Sequence, residues 1–377
     1  VAGEGEELTM ERPRVLHLNT ERTWRGGERQ LFFLAKELQR RGYEQRVACR
    51  PGFPLERFCR QAGLSVVPVS PWGEFDLWAA GRLRRAMRDE KIDILHAHTG
   101  HAVGLGALAL RRGGPSFIAT RRVDFPLKKN FLSRWKYRRV DRLVAISGKV
   151  RDVLTEGGMD PARIPVVHSG IEGADYPSAG DKARLRKEKG LPVEGIFVTQ
   201  VAALVPHKDH ATLLAAARRV CDKLPSLRFF LLGDGELRSG LERKTRELGL
   251  SDNVVFLGHR MDALDYIALA DAFVLSSVEE GLGTSLLDAL FIGVPVVATR
   301  AGGIPEIFGS PSAPELVPAR APDELADQLV RVLSDRAYAE QRVTRGREIV
   351  KKFSVSAMAD AYEKMYKELS RRKYGIT

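Results

Sequence analysis

Cysteine is scarce in this chain: Cys49, Cys59 and Cys221 are an odd number without paired spacing. That excludes a disulfide framework and a cysteine-built zinc site, and it fits a reducing, cytoplasmic setting. Long apolar runs are missing too. None reaches the roughly 18 residues that cross a bilayer, and no apolar signal-peptide stretch follows the acidic start. The leader "VAGEGEELT" before Met10 has nothing to bury and is expected to be disordered. Repeats and low-complexity tracts are absent, as are RNP, KH, helix-turn-helix and finger patterns. A basic nucleic-acid-binding protein is therefore the weaker reading, and no nucleic acid is expected as a partner.

Basic residues, by contrast, abound. Sixty Lys and Arg against 48 Asp and Glu leave a net charge of +12, which favours polyanions: nucleic acid, anionic lipid headgroups or phosphorylated substrates. A chain of 377 residues, 44% hydrophobic and 29% charged, suits an ordinary globular protein of two domains.

Short apolar runs alternate with amphipathic helices throughout. "RVLHLN" (14–19) leads through a glycine turn into "GERQLFFLAKELQRRG", where Leu31, Leu34, Ala35 and Leu38 share a helical face. "QRVACR", "SVVPVS", "IDILHAH", "SFIATRR" and "RLVAIS" follow as strands. The pattern restarts with "GIFVTQVAAL", "RFFLLGDG", "NVVFLG", "AFVLSS" and "PVVAT". Strand–helix alternation predicts α/β structure, with parallel sheets covered on both faces. Two series make two Rossmann-like, doubly wound domains, at 10–172 and 173–354, after a leader at 1–9. The break lies in "SGIEGADYPSAGDK" (169–182), and a C-terminal amphipathic helix at about 355–377 can pack back on the first domain.

Ligands of open parallel sheets sit beyond the carboxyl ends of the strands. After the first strand, Gly26 and Gly27 open a helix whose backbone N–H groups can approach an anion; tight geometry alone would also ask for such a pair. The dinucleotide fingerprint G-x-G-x-x-G is absent here. "HAHTGH" places His96, His98 and His101 after another strand. His96 and His98 are expected to face opposite sides and so not to share an ion, and no metal site is expected. His98 is read as the cleft-facing histidine, able to donate to a substrate hydroxyl.

In the second half, "VAALVPHKDH" puts Lys208 at a strand–helix turn, where an ammonium can meet a phosphate. "GDG" (233–235) and "GHR" (258–260) end two further strands. "VEEGLGTSLLDAL" (278–290) then supplies a Gly281-x-Gly283 turn, with the amides of Gly283, Thr284 and Ser285 aimed at a phosphate. Glu280 projects toward the interdomain cleft, and Asp288 can accept two hydrogen bonds from a vicinal diol such as a ribose. A solvated lysine and a plain helix-capping acid are the alternatives at Lys208 and Glu280. Taken together, these groups describe a nucleotide-sugar site.

From about Arg14 to about Leu369 the chain resembles the retaining glycosyltransferases of family 4, which have the GT-B architecture. The most specific stretch is "NVVFLGH...ADAFVLSSVEEGLGTSLLDALFIGVPVVATRAGGIPEI", similar to the family's E-x7-E region and its G-x-P-V-V-x-T-x-x-G-G-x-x-E tail. "GGERQ", "HAH", "DRLVAIS", "SGIE" and "PHK" match in order. The resemblance implies that Glu280 lies against the donor sugar, Asp288 on the ribose diol, and Lys208 and Gly27 on the diphosphate. It also places His98 on the donor sugar and Arg260, with Gly258, near the base. Glu280, His98 and Lys208 are the catalytic candidates. Two departures stand out: Ala203 replaces the usual arginine, for which Arg25, Arg121 or Arg122 can compensate, and Asp288 replaces glutamate.

The implied reaction moves a sugar from a UDP-, GDP- or ADP-sugar to an acceptor hydroxyl, with retention and without metal or other cofactor. A lipid-linked or cell-envelope glycan (lipopolysaccharide or polysaccharide) is the expected acceptor, at the inner face of the membrane. "TRRVDFPLKKNFLSRWKYRRVDR" (120–142) carries Arg121, Arg122, Lys128, Lys129 and Trp135 as candidate acceptor or membrane contacts, with Phe131, Trp135 and Arg138 on one helical face. A helix whose apolar side packs inward is the alternative there. A nucleotide-sugar-binding protein without transfer activity is the alternative for the whole chain.

Overall fold

The computed structural model describes residues 12–172 and 176–374, so the leader and the 172/173 boundary touch residues outside the described ones. In the first lobe β1 (Val15–Leu18), α1 (Gly26–Arg40), β2 (Gln45–Cys49), α2 (Pro54–Gln61), β3 (Ser65–Pro68) and α3 (Leu77–Asp89) come first. They are followed by β4 (Ile94–Ala97), α4 (Gly100–Ala109), β5 (Ser116–Arg121), α5 (Phe131–Arg138), β6 (Arg142–Ala145) and α6 (Gly148–Glu156).

The second lobe opens with α7 (Lys182–Glu188), β7 (Phe197–Val201), α8 (His210–Lys223), β8 (Arg228–Leu232), α9 (Arg238–Glu247), β9 (Val254–Gly258) and α10 (Ala263–Ala268). It continues with β10 (Ala272–Leu275), α11 (Thr284–Ile292), β11 (Val296–Thr299), α12 (Ile304–Phe308), β12 (Leu316–Val317), α13 (Pro322–Ser334) and α14 (Arg336–Val350). The chain ends in α15 (Val355–Tyr374).

Each lobe holds a six-stranded parallel sheet, ordered β3-β2-β1-β4-β5-β6 and β12-β11-β10-β7-β8-β9. Renumbered within its lobe, the second order is the same as the first. Strands β1, β4, β10 and β11 are buried at every position, as apolar runs covered by helices on both faces must be. In each sheet the order reverses at the central pair, β1/β4 and β7/β10, and a crevice opens there at the carboxyl ends. Polar residues just after the strands hold the helices in place: the side chains of Thr99 and Ser147 accept from Ala102 and Val150 N–H to cap α4 and α6.

The chain leaves the first lobe beside the point where it returns. The Ile171 N–H donates to the Phe353 carbonyl (2.8 Å), and the Val355 N–H donates to the Ile171 carbonyl (3.1 Å). The Gln30 side chain grips Gly170 at both backbone groups, 2.7 and 2.8 Å away. Helix α15 then lies on the first lobe, where Tyr362 and Tyr366 are buried with Val15, Leu34, Ile94 and Ile118. Arg41 on the end of α1 pins it through Asp360 and Glu363.

Candidate active site

A cavity of about 690 Å³ lies between the lobes, at the carboxyl ends of both sheets. Arg25, Gly26 and Arg29 line it from the first lobe, and Lys208, Arg260, Glu280, Thr284, Ser285 and Asp288 from the second. Lys208 closes a short 3-10 turn after β7; Asp209 follows in the left-handed region and caps α8 by accepting from Thr212 N–H. The Lys208 Nζ sits 2.5 Å from Glu280 Oε2, to which Ser277 Oγ also donates at 3.3 Å. Across the cleft the Glu280 N–H donates to Asp124 Oδ2 (2.9 Å), so the first lobe fixes the backbone that carries this acid.

The Gly-x-Gly turn is explained by two contacts. A Cβ on Gly281 would come within 2.4 Å of the Arg122 carbonyl oxygen, and Gly283 has φ +92° as it starts α11. The first N–H groups of α11 have no intrahelical acceptor, and Thr284 and Ser285 face the cavity with them. Gly283 itself does not line the cavity, while Gly26 packs directly on Thr284.

Asp288 is buried and held from both sides of the cleft. Arg29 Nη2 reaches its two oxygens at 2.7 and 2.5 Å, and the Tyr176 hydroxyl donates to Oδ1 at 2.6 Å. Burial works to lower the Arg29 pKa, but the neighbouring Asp288 carboxylate outweighs it and the net direction is up. Burial, and then Asp288, push the Tyr176 hydroxyl up as well. The carboxylate read as a ribose acceptor is thus also the centre of an interlobe ion pair. Arg260 pairs with Asp262 and lies over the Tyr266 ring; Gly258 does not line the cavity.

Ala203 lines this cavity, and of the three arginines considered as its replacement only Arg25 does so too. Arg121, Arg122, His98 and Gly27 line a second, neighbouring cavity of about 270 Å³, made wholly of first-lobe residues, which Arg25 shares.

The histidines require a correction. His96 and His98 do not face opposite sides: their rings lie 3.9 Å apart, with His17 against both. Residues two apart along a strand share a face, and β1 brings His17 alongside. Nitrogens of all three come within 4.8 Å of one another, the geometry of a metal cluster. Hydrogen bonds, however, occupy five of the six ring nitrogens. His96 binds the Tyr366 and Thr120 hydroxyls at 2.7 Å each, while His17 binds Gln45 and His98.

The tautomers follow from Gln45. Its Nε2 donates to the Ala35 carbonyl, so its Oε1 accepts from His17 Nε2–H. His17 Nδ1 must then accept from His98 Nε2–H, 3.1 Å away. His98 Nδ1 is left as a buried acceptor without a partner. His98, which lines the first-lobe cavity, thus spends its one N–H on His17 and keeps Nδ1 as an acceptor, where the sequence suggested a donor. Burial, then His96, His17 and Arg122, hold its pKa well below the ordinary histidine value, and burial lowers His17 to about 4.

Helix α5 turns Ser133, Lys136 and Tyr137 inward, whereas Phe131 is 78% exposed. Tyr137 and Trp135 pack on the core, while Phe131 and Leu132 stay exposed. Trp72 (81% exposed) and Trp78 (87%) stand nearby, on a segment tied to α5 by the Glu74–Lys136 ion pair and the Phe75–Trp135 contact. Lys136, spent on Glu74, is not a free surface charge.

Arg29, Tyr176 and Asp124 were not singled out from the sequence. Their partners lie 259, 112 and 156 residues away, and no local pattern marks them. Glu306 was visible as the last acid of the tail motif. Its carboxylate accepts from the Gly148 and Lys149 N–H groups at the start of α6, again across the lobes.

Residues 24–173 match the family described as Glycosyltransferase Family 4, and residues 181–349 match Glycosyl transferases group 1. The lipopolysaccharide core biosynthesis glycosyltransferase LpsE of Rhizobium meliloti is 28% identical over 341 residues, which cover 89% of this chain and 94% of that protein. An Escherichia coli UDP-Gal:alpha-D-GlcNAc-diphosphoundecaprenol alpha-1,3-galactosyltransferase is 26% identical over 300 residues, 75% of this chain and 77% of that one. In structure the chain is similar to HepE of Anabaena, solved with UDP and glucose, at a TM-score of 0.81 and 20% identity. That match covers 94% of this chain and all of the other.

Proposed function

From the premise that the chain belongs to the family 4 glycosyltransferases and has the GT-B fold, we propose that it is a retaining enzyme. It moves a sugar from a nucleotide-diphosphate sugar to a hydroxyl of a lipid-linked or cell-envelope glycan. The observation that carries this reading is the interlobe cavity, which brings Lys208, Glu280, the amino end of α11 and Asp288 together.

The barrier to transfer lies in separating an oxocarbenium-like sugar from its diphosphate. Lys208 and the first amides of α11 line the same cavity and stabilise the negative charge that builds on the diphosphate as the bond stretches. Arg25 adds a guanidinium from the first lobe, lining the same cavity as Ala203. With these donors no metal is needed. As the acceptor oxygen bonds to the anomeric carbon, the bond to the phosphate oxygen breaks on the same face and that oxygen takes the acceptor proton. Glu280, steered by Lys208 and Ser277, orients the sugar, and the paired lobes exclude water from the donor.

Support for a membrane-borne acceptor comes from the names of the relatives and from one surface. Exposed Trp72, Leu77, Trp78, Phe131 and Leu132 combine with Lys128, Lys129, Arg134 and Arg138, an aromatic and cationic mixture suited to an anionic interface. No helix among the described residues is long and apolar enough to cross a membrane. Vesicles with anionic lipid should bind the protein and neutral ones should not; equal binding removes the membrane reading.

The decisive test is a thermal-shift screen of UDP-, GDP- and ADP-sugars beside the free nucleotides. One series should raise the melting temperature by mass action. The shift should shrink in Lys208→Ala, and transfer should fall roughly 100-fold or more in Glu280→Ala. No shift with any nucleotide overturns the reading.

A further inference from the structure

One arginine of the first lobe sits on the carboxylate that a donor's ribose would need. Helices α1 and α11 start together at the cleft: Gly26 packs on Thr284, and about one turn further in Arg29 Nη2 holds both oxygens of Asp288, at 2.7 and 2.5 Å. The Tyr176 hydroxyl adds a third contact, on Oδ1. A carboxylate offers roughly four lone-pair positions, so these contacts leave about one open. A vicinal diol donates two hydrogen bonds. One of the present partners must therefore leave before a ribose can settle on Asp288.

Arg29 is the partner equipped to leave. The Tyr176 hydroxyl has no other hydrogen bond among the described residues, and its ring is set edge-on against Phe291 of α11. Arg29, by contrast, has unused donors and a second place to go. It lines the interlobe cavity, its guanidinium lies 5.7 Å from the centre of the Phe33 ring, and its Nε is buried without a hydrogen-bond partner. A buried N–H left unpaired costs free energy, which an arriving acceptor would restore.

Long side chains on a helix lean toward its amino end. For Arg29 that direction leads back toward Gly26, Thr284 and Ser285, one helical turn of roughly 5.4 Å from Asp288. The first N–H groups of α11 stand there, suited to an anion. Ala203 lines the same cavity and brings no charge to it.

We propose that Arg29 is a diphosphate-binding residue of the donor site: the ribose takes its place on Asp288, and the released guanidinium turns to the donor's phosphates. An ion pair between the lobes is thereby replaced by two contacts through the donor, one to each lobe. This rests on the nucleotide-sugar reading above and adds a first-lobe residue to it.

The probes are UDP, GDP and ADP, titrated calorimetrically into the full chain, with uridine, guanosine or adenosine competing against the diphosphate that binds best. Arg29→Gln should weaken that diphosphate about ten-fold or more, the size of a lost charge-assisted contact. The nucleoside, relieved of a competitor on Asp288, should bind as before or more tightly. Diphosphate affinity that is unchanged or raised in Arg29→Gln overturns the proposal, since Arg29 is then only a competitor. Equal losses for diphosphate and nucleoside overturn it too, since Arg29 then only supports Asp288. Should Arg29→Gln not fold, Arg29→Lys keeps a cation for Asp288 without the planar fork; it should weaken the diphosphate about three-fold or more and spare the nucleoside, and no loss overturns the proposal. A loss in Lys208→Ala with none in the Arg29 variants fails this proposal alone. No binding of any diphosphate to the natural chain fails the donor reading, and this proposal with it.

Discussion

At the carboxyl ends of the second sheet the charged groups are matched: Lys208 with Glu280, and Asp288 with Arg29 reaching over from the other lobe. At the same ends of the first sheet stand three neutral histidines and two guanidiniums, Arg121 beside Tyr137 and Asp124 and Arg122 near Glu28. The strand order is the same in both. One lobe is thus completed by ion pairs, and the other keeps polar groups in reserve inside a hydrogen-bonded core. Shared topology decides where a site opens, and the residues after each strand decide what it can hold.

Acid is the strongest way to break this comparison. His17, His96 and His98 all have folded-state pKa values depressed by burial, as does His210 in the second lobe. The unfolded chain takes up protons near pH 6.5 that the folded chain refuses. Stability is therefore full above that pH and falls as pH drops through the window toward 4, the value for His17 and His210. For His17 alone the shift corresponds to about 3 kcal/mol. Hydrogen exchange between pH 7 and 4.5 should show β1, β4 and β5 losing protection before β7 and β10. Protection that stays flat across that range would mean that the histidines are not the weak point.

Breaking a pair comes next. Arg29→Ala leaves Asp288 buried without its cation and should lower unfolding stability by about 3 kcal/mol in a urea titration. A loss below about 0.5 kcal/mol would place the pair among ordinary surface bridges.

The smallest effect sharpens the view of the first lobe. Tyr366→Phe deletes the hydroxyl on His96 Nδ1 while preserving the packing of α15, and should destabilise by about 1–2 kcal/mol. An unchanged urea midpoint would show that the buried network contributes little to stability.

Much of this was readable from local pattern. Helix α11 starts at Thr284 and ends at Ile292, as the glycine turn and apolar spacing suggest, and Lys208, Glu280 and Asp288 do meet in one cavity. What was not readable lies in contacts distant along the chain. Arg29 is an unremarkable helical arginine until the lobes face each other. His98 looked like a donor until Gln45, bound to Ala35 on α1, fixed the tautomer of His17. Gly27 and His98, read from the resemblance as donor contacts, line the first-lobe cavity beside the interlobe one, with Arg25 common to both.

By itself the sequence determined two parallel-sheet lobes and the places where chemistry can occur, because the burial period and the turn residues act over a few neighbours. Only the tertiary structure decided which charge meets which: Arg29 on Asp288, Glu306 on the start of α6, Arg121 beside Tyr137 and Asp124. Electrostatics depends on distance through space and on burial, and a linear order of residues encodes neither until the chain has folded.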